Sequence, residues 1–493
     1  MTTRLRPSQT LLLGSLVFGL FFGAGNLVFP VLMGREAGSA SPAAATGFLL
    51  TAVGLPILGV VASAMAGADS LQSLLRPVSG RLSLWFTCAL YLTIGPLFAI
   101  PRTATVSYEV GIRPLVGEGH TPLFLFSVAF FALTALAARR PGRLMDWVGR
   151  YLTPVFLVLL SALVIASFVA PMTTTPAAPS GPYASAPLTR GLVDGYSTMD
   201  ALASLAFAVV LVDATRRLGV RGPRRLAVEL GKAGLVGGLG MAVVYATLAH
   251  VGATSVGAVA EADNGGVVLA GVSLHYFGVA GQYLIAAIVV TACLKTAIGL
   301  TVACATTFVE LTAGRRGAAH ATETSDQTGA SDATDGADAS RTTVAGGLPT
   351  AYRWWAWGFV GVSFAIANLG LAAIVAISVP VLMFLYPVAI VVIVLALAWP
   401  WVSQRLVLAR VVIAFTAAAA FFDLLGALPA SLAATPVVTT LTETASAVLP
   451  GYDVGFGWVV PALVGTVVGL ALSARGSRTR QAEASSARVA APA

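Results

Sequence analysis

The sequence predicts an all-α polytopic membrane protein of about 12 transmembrane helices, an inverted 5+5 repeat with broken helices 1 and 6 plus two C-terminal helices. Three observations lead there. Of 493 residues, 57% are hydrophobic and 10% charged, with mean hydropathy +0.87, whereas soluble domains carry about 25% charge. The basic residues gather in alternate connecting segments. Two apolar segments, five spans apart, carry helix breakers or acidic residues at membrane depth.

The first span is the run LLLGSLVFGLFFGAGNLVFP, from Leu11 to Pro30, with Arg6 and Arg35 as its nearest charges. It is long enough to cross roughly 30 Å of hydrocarbon as a helix. It also exceeds a signal-peptide core, and many more runs follow, so it reads as retained. Gly23, Ala24, Gly25 and Asn26 lie inside it. Glycine tolerates non-helical backbone, and asparagine bonds backbone groups in competition with the helix. Two readings follow. Either the helix opens there to line a cavity, since lipid cannot satisfy freed N–H and C=O groups, or the small residues let two helices cross closely.

The net charge of +8 follows alternate loops and forms no single patch, which argues against a nucleic-acid partner. Of 29 basic residues, 24 fall in seven segments: Arg4 and Arg6, Arg76 and Arg81, Arg139 to Arg150, Arg216 to Lys232, Arg315 to Arg353, Arg405 and Arg410, and Arg475 to Arg488. By the positive-inside rule both termini are cytoplasmic and the span number is even. Spans are expected near 10–33, 43–66, 82–110, 121–138, 145–170, 192–212, 229–251, 278–310, 353–370, 373–398, 406–428 and 457–474. The first repeat is then 10–170 and the second 192–398, with additional helices over 399–474. Residues 1–9 form a cytoplasmic start, and the Pro/Ala/Thr-rich segment 171–191 an external loop. Segment 313–350 and the tail 475–493 are polar, small-residue stretches expected to be disordered cytoplasmic insert and tail. Cys88, Cys293 and Cys304 all lie in apolar runs, as small core side chains do.

The sixth span, GYSTMDALASLAFAVVLVDA from Gly195, carries the second anomaly: Asp194, Asp200 and Asp213 bracket an apolar stretch with Ser204 in its centre. Interrupted segments at corresponding places in two halves of a chain point to a midplane solute site. The first and sixth spans satisfy that rule.

No enzyme signature is present: HExxH, GxxxxGK[ST], GxSxG and CxxC are all missing. His120, His250, His275 and His320 are scattered at loops and span ends without metal-ligand spacing. The chain is therefore expected not to be an enzyme. Within the spans three ionisable residues stand out, because such groups are costly there. Arg102 and Glu109 lie seven residues apart, two turns along one helix face, and can pair with each other or with neighbours as a gate or structural ion pair. Lys295 lies deep in the eighth span, one of two lysines among 29 basic residues. It either pairs with a carboxylate for structure or exchanges a proton, which a buried lysine does more readily than arginine.

These segments resemble the bacterial branched-chain amino acid transport system II carriers, which move leucine, isoleucine and valine with sodium or protons. GAGNLVFP from Gly23, TAVGLP from Thr51, GPLFAIPRTATVSYEVG from Gly95, GYSTMDAL from Gly195 and TAIGLT from Thr296 are similar to that family's segments in the family's order. The likeness covers all but the 313–350 insert and the tail. More distantly, GAGN with FP, and SLAFA from Ser204, resemble the broken helices of sodium-coupled amino acid symporters. The resemblance implies a substrate site at Phe21, Gly23, Ala24, Gly25, Asn26, Ser204 and Phe207. There the N–H groups of Ala24 and Gly25 meet the carboxylate, the Phe21 carbonyl and the Ser204 region meet the amine, and Phe207 lines an apolar pocket. A half-helix N-terminus, with roughly half a positive charge, suits a carboxylate.

The resemblance further implies a coupling-cation or proton site at Gly19, Phe22, Lys295 and Thr296, with sodium possible at Gly19, Phe22 and Thr296. Ala297 stands where a second hydroxyl is expected, and Leu202 where a sixth-span hydroxyl would join Asn26 at another sodium site. No cofactor is implied beyond the coupling ion, proton or sodium. The expected function is a secondary importer of these amino acids in the bacterial inner membrane, in contact with lipid. The alternatives are a receptor or assembly protein that keeps the scaffold, or a symporter of another small apolar amino acid. Oligomeric state is left open.

Overall fold

Pro7 starts helix α1 (Pro7–Phe21), since a missing N–H costs nothing in a first helical turn. The helix stops where the sequence places glycine: Phe22 turns to extended backbone (φ −74°, ψ 106°), Gly23 follows (φ −132°, ψ −161°), and α2 (Ala24–Ala37) begins anew. The computed structural model describes residues 4–68, 70–117, 119–139, 153–259, 264–324 and 350–489. Span 2 is α3 (Ser41–Leu49) and α4 (Leu55–Met65), joined by a π-helical turn, Leu50–Gly54. Span 3 is α5 (Gly80–Leu92) and α6 (Ala99–Val106), bent at Thr93–Leu97, and it continues through another π-turn, Ser107–Ile112. Next come α7 (His120–Ala138) and α8 (Thr153–Val169).

Span 6 is broken like span 1. Helix α9 (Pro187–Asp194) and the 3-10 turn Gly195–Thr198 lead to Met199, whose left-handed φ of 63° makes it the one non-glycine residue with positive φ among the described residues. Helix α10 (Asp200–Arg217) leaves at a 46° bend. The chain continues through α11 (Pro223–Thr254), α12 (Gly265–Thr324, kinked at Gly278), α13 (Thr350–Ala367), α14 (Leu371–Leu397), α15 (Leu406–Gly426) and α16 (Val459–Val489).

The repeat shows in how the broken spans are cradled. Both halves of span 1 pack on α11, the seventh span, and both halves of span 6 pack on α3 and α4, the second. Glycines make each contact close. A methyl group at Gly34 or Gly252 would lie 2.0 Å from a carbonyl oxygen across the α2–α11 contact. A methyl group at Gly47 or Gly191 would do the same across α3–α9. Side-chain-free contacts of this kind let membrane helices approach without a hydrophobic driving force. Helix α12 packs on α6 and Ser107–Ile112, which closes the centre, and α15 packs on α14 and α16.

By length and composition, seven helices among the described residues can cross a membrane, or eight if α9 with its 3-10 turn and α10 make one span; α1, residues 157–169 and residues 459–474 are shorter apolar helices. Their outward faces expose large apolar side chains such as Leu133, Leu136, Leu235 and Leu239, and buried hydroxyls turn back on their own helices, as Thr134 does to Phe130 O and Thr301 to Ala297 O.

Several boundaries differ from expectation. Span 6 starts at Pro187, inside the expected loop, because Pro187 opens a helical turn there. Helix α16 runs on to Val489 through Ala, Gln, Glu and Arg, good helix formers, where irregular tail was expected. Helix α12 likewise enters the expected insert as far as Thr324; residues 325–349 of that insert, and residues 145–152 of span 5, lie outside the described residues.

Candidate functional site

The two breaks meet. Asn26, in the first turn of α2, accepts from the Gly23 N–H through Oδ1 at 2.8 Å and donates through Nδ2 to Asp200 Oδ2 at 2.6 Å. Nδ2 also donates to the Tyr245 hydroxyl, which in turn donates to Asp200 Oδ2 at 3.2 Å. A single buried side chain thus caps one half-helix and ties it to the first residue of the other, while Tyr245 of α11 braces both. The network fixes the amide orientation of Asn26.

Beside this junction lies a small, partly open cavity. Gly23, Gly25 and Asn26 line it from span 1, Thr198, Met199 and Asp200 from the span 6 break, and Arg102 and Thr103 from α6. Its apolar wall is Phe21, Ile94, Ala203, Phe207 and Leu300, with Phe21 and Phe207 in edge-to-face contact at 5.8 Å between ring centroids. The first-turn N–H groups of α2 have no partner within their own helix, so they present a weakly positive pole to the cavity.

The sequence-derived residues divide accordingly. Phe21, Gly23, Gly25, Asn26 and Phe207 line this cavity, and the Ala24 backbone begins α2 beside it. Ser204 does not. Its hydroxyl donates to Ala201 O at 2.7 Å and is packed against Gly59 of α4. With α10 starting at Asp200, residues 200, 203 and 207 share the cavity face, and position 204 is rotated toward span 2.

Of the two arrangements open to Arg102 and Glu109, pairing with each other or with neighbours, the structure shows neighbours. Glu109 binds Arg113 at 2.6 Å. The π-turn Ser107–Ile112 takes more residues per turn than an α-helix, so the seven-residue spacing no longer aligns the two side chains. Arg102 faces inward instead. It is buried, donates from Nη1 to Ser197 O at 2.9 Å, and lies over the Phe29 ring at 5.1 Å. The Ser197 carbonyl is one that the span 6 break sets free, so Arg102 satisfies a group lipid could not.

A second, larger cavity runs from Lys295 and Thr296 to Ser70 and Glu310, toward the ends that carry the N terminus. Gly19 lines it, and Leu20, Phe207 and Thr296 line both cavities, so a thin wall separates them. Thr296 touches the first break: a methyl group on Gly23 would lie 2.8 Å from its Oγ1. Lys295 is buried, with Nζ 5.9 Å from the centroid of the Phe22 ring. Its flexible stem therefore brings the ammonium to the span 1 break.

A sodium shell here would draw on one side-chain hydroxyl and on backbone carbonyls of span 1. The Thr296 hydroxyl donates its hydrogen to Ala292 O at 3.0 Å and keeps its lone pairs, while Ala297 brings no side-chain oxygen. Hard cations need several oxygen ligands, and a lysine ammonium opposes a second positive charge beside it. Among the described residues no group of three or more His, Cys, Asp or Glu could hold a metal ion.

The sequence reading missed Asp200 and Tyr245 as site residues and placed Arg102 at a gate. The available signal was Asp200 itself, an acidic residue inside a span; only the left-handed turn at Met199 distinguishes it from Asp194 and Asp213.

A cavity at two helix breaks, in a chain folded as two repeats, defines a membrane transporter. The fold is that of Mhp1, a nucleobase-cation-symport-1 family transporter solved in a closed conformation with bromovinylhydantoin bound, at TM-score 0.53 and 13% identity over 96% of both chains.

The family model for branched-chain amino acid transport proteins matches residues 6–316 and 345–475, and the chain belongs to that family. It is 40% identical to the branched-chain amino acid permease BrnQ of Lactobacillus delbrueckii subsp. lactis, over 94% of this chain and 96% of that one. It is 36% identical to the permease BraB of Bacillus subtilis strain 168 over 94% and 95%, and 44% identical to BrnQ of Escherichia coli K12 over 63% and 70%.

Proposed function

We propose that this protein is a secondary active importer that carries leucine, isoleucine and valine across the bacterial inner membrane by alternating access, coupled to a cation, with both termini in the cytoplasm. The observation that carries this reading is the cavity between the two breaks. Its apolar wall of Phe21, Ile94, Phe207 and Leu300 suits a branched aliphatic side chain, and its polar rim suits the backbone end of an amino acid. The Ala24 and Gly25 N–H groups meet the carboxylate, and the carbonyls freed near Phe21 face the amine. The thin wall shared with the larger cavity supports an exit toward the basic face, opened by movement of α1 against α10. Purified protein in liposomes accumulates labelled leucine, isoleucine or valine under an imposed ion gradient, and lysine and glutamate do not compete. Competition by lysine or glutamate equal to that of leucine overturns the pocket assignment.

The coupling ion on this reading is the proton, handled at Lys295 beside Gly19, Phe22 and Thr296. Support comes from the lysine head at the Phe22 ring and from the sparse oxygen set. A lysine that gains and loses its proton at that position mimics a cation that binds and leaves. The test is uptake into sodium-free vesicles with an inward proton gradient. Wild type accumulates leucine and Lys295→Ala loses the pH dependence. Strict sodium dependence in wild type gives Lys295 a structural role instead.

A further inference from the structure

Arg102 and Asp200 are a buried guanidinium and a buried carboxyl group that line one cavity, and they are not paired with each other in any ion pair among the described residues. Placing two charges at membrane depth is costly unless each meets an opposite charge or a set of hydrogen bonds. Each is only partly provided for. Arg102 uses Nη1 on Ser197 O, while its Nε is buried without a hydrogen-bond partner. Its Nη2 lies 3.0 Å from where a methyl group on Gly25 would stand, beside the first turn of α2. Asp200 takes the hydrogen bonds of Asn26 and Tyr245 both on Oδ2, and Thr198 of the same break also bonds its carboxyl group, so Oδ1 is the oxygen that neither α2 nor α11 engages.

We infer that Arg102 and Asp200 form a zwitterion clamp, in which Arg102 and the α2 N-terminus hold the substrate α-carboxylate while Asp200 Oδ1 holds its α-ammonium. The clamp rests on the amino acid transport reading and specifies how the backbone end of the substrate is selected. A free amino acid brings one charge of each sign and no net charge, so it completes both poles at once. An amine, a fatty acid or a hydroxy acid completes only one and leaves the other charge buried and unmatched. Discrimination then comes from the unmatched group more than from lost attraction. Glycine at position 25 is part of the device, since a side chain there would occupy the space between Arg102 and the N–H groups it supplements.

The test is equilibrium binding to the purified full-length protein in lipid nanodiscs, with labelled leucine displaced by leucine, 2-hydroxy-4-methylpentanoate or leucinol. The hydroxy acid lacks the ammonium, and leucinol lacks the carboxylate. In wild type both analogues bind at least about 30-fold more weakly than leucine, the scale of one unpaired buried charge. In Asp200→Asn leucine weakens by at least about 30-fold while the hydroxy acid changes by less than about 3-fold. In Arg102→Gln leucine and the hydroxy acid weaken together while leucinol is spared.

Equal weakening of leucine and hydroxy acid in Asp200→Asn overturns the clamp and makes Asp200 a brace for the two breaks. The two variants probe opposite poles, so either one is informative if the other does not fold. The wild-type comparison needs neither, and an analogue that binds as well as leucine overturns the clamp by itself. Leucine binding with unchanged preferences in the variants rejects the clamp alone. A wild type that binds no branched-chain amino acid rejects the transport reading and the clamp with it.

Discussion

The two broken spans are built on one plan and end with opposite chemistry. Each stops inside its span, each restarts as a helix whose N-terminus faces the shared cavity, and each is cradled by the span that follows the other broken one. Two helix N-termini at one cavity would give two weakly positive poles. Span 1 keeps that polarity, because its break is made by Gly23 and its first turn offers backbone N–H groups with Arg102 beside them. Span 6 reverses it by starting α10 with Asp200. The repeat supplies the geometry, and one carboxylate makes the site bipolar.

The comparison can be broken at the first span most severely. Gly25→Val places a β-branched side chain against Arg102 Nη2 and the Phe29 ring, which stand 3.0 and 3.1 Å from the first added carbon. Leucine uptake falls by about a hundredfold or more with the protein still inserted. Normal uptake at equal expression makes the break a packed helix crossing and not a site.

The link between the breaks comes next. Asn26→Leu removes the bond to Asp200 and the cap on Gly23, leaving the buried carboxyl group with Tyr245 and Thr198 as its remaining side-chain partners. Losing one partner of a buried charge costs about 1–3 kcal/mol. Leucine affinity and thermal stability both drop, measured by binding and by the melting temperature of the purified protein. A variant with wild-type values shows that the two breaks are held independently.

The smallest effect is expected at the second break itself. Met199 sits in the left-handed region that favours glycine, at a cost of about 1–2 kcal/mol for a side chain. Met199→Gly relieves the backbone but empties the space of a buried side chain that lines the cavity, whereas Met199→Val, β-branched and still harder to place there, has the lower melting temperature of the two. Equal stability of the two variants contradicts the turn as described.

The first break was legible because its cause is local. Gly23, Gly25 and Asn26 interrupt an apolar run, and the residues that break the helix also line the cavity. The second was legible only in outline. Asp194, Asp200 and Asp213 look alike in the sequence, and the turn at Met199 decides that Asp200 faces the cavity while Asp194 binds Arg190 and Asp213 binds Arg217. Without the starting residue of α10, Ser204 could not be phased correctly. Arg102 was misplaced for a related reason, since seven residues span two turns of an α-helix but not of a segment containing a π-turn.

Counterflow exchange of labelled leucine in proteoliposomes, without any imposed gradient, tests the opposed poles most directly. Isopentylamine and 4-methylpentanoate each carry the aliphatic chain of leucine with one of its two charges. Opposed poles predict that valine and isoleucine displace the label, while neither single-charge analogue does so at about a hundredfold excess. Displacement by either analogue at concentrations comparable to leucine would contradict this, because one pole alone would then suffice.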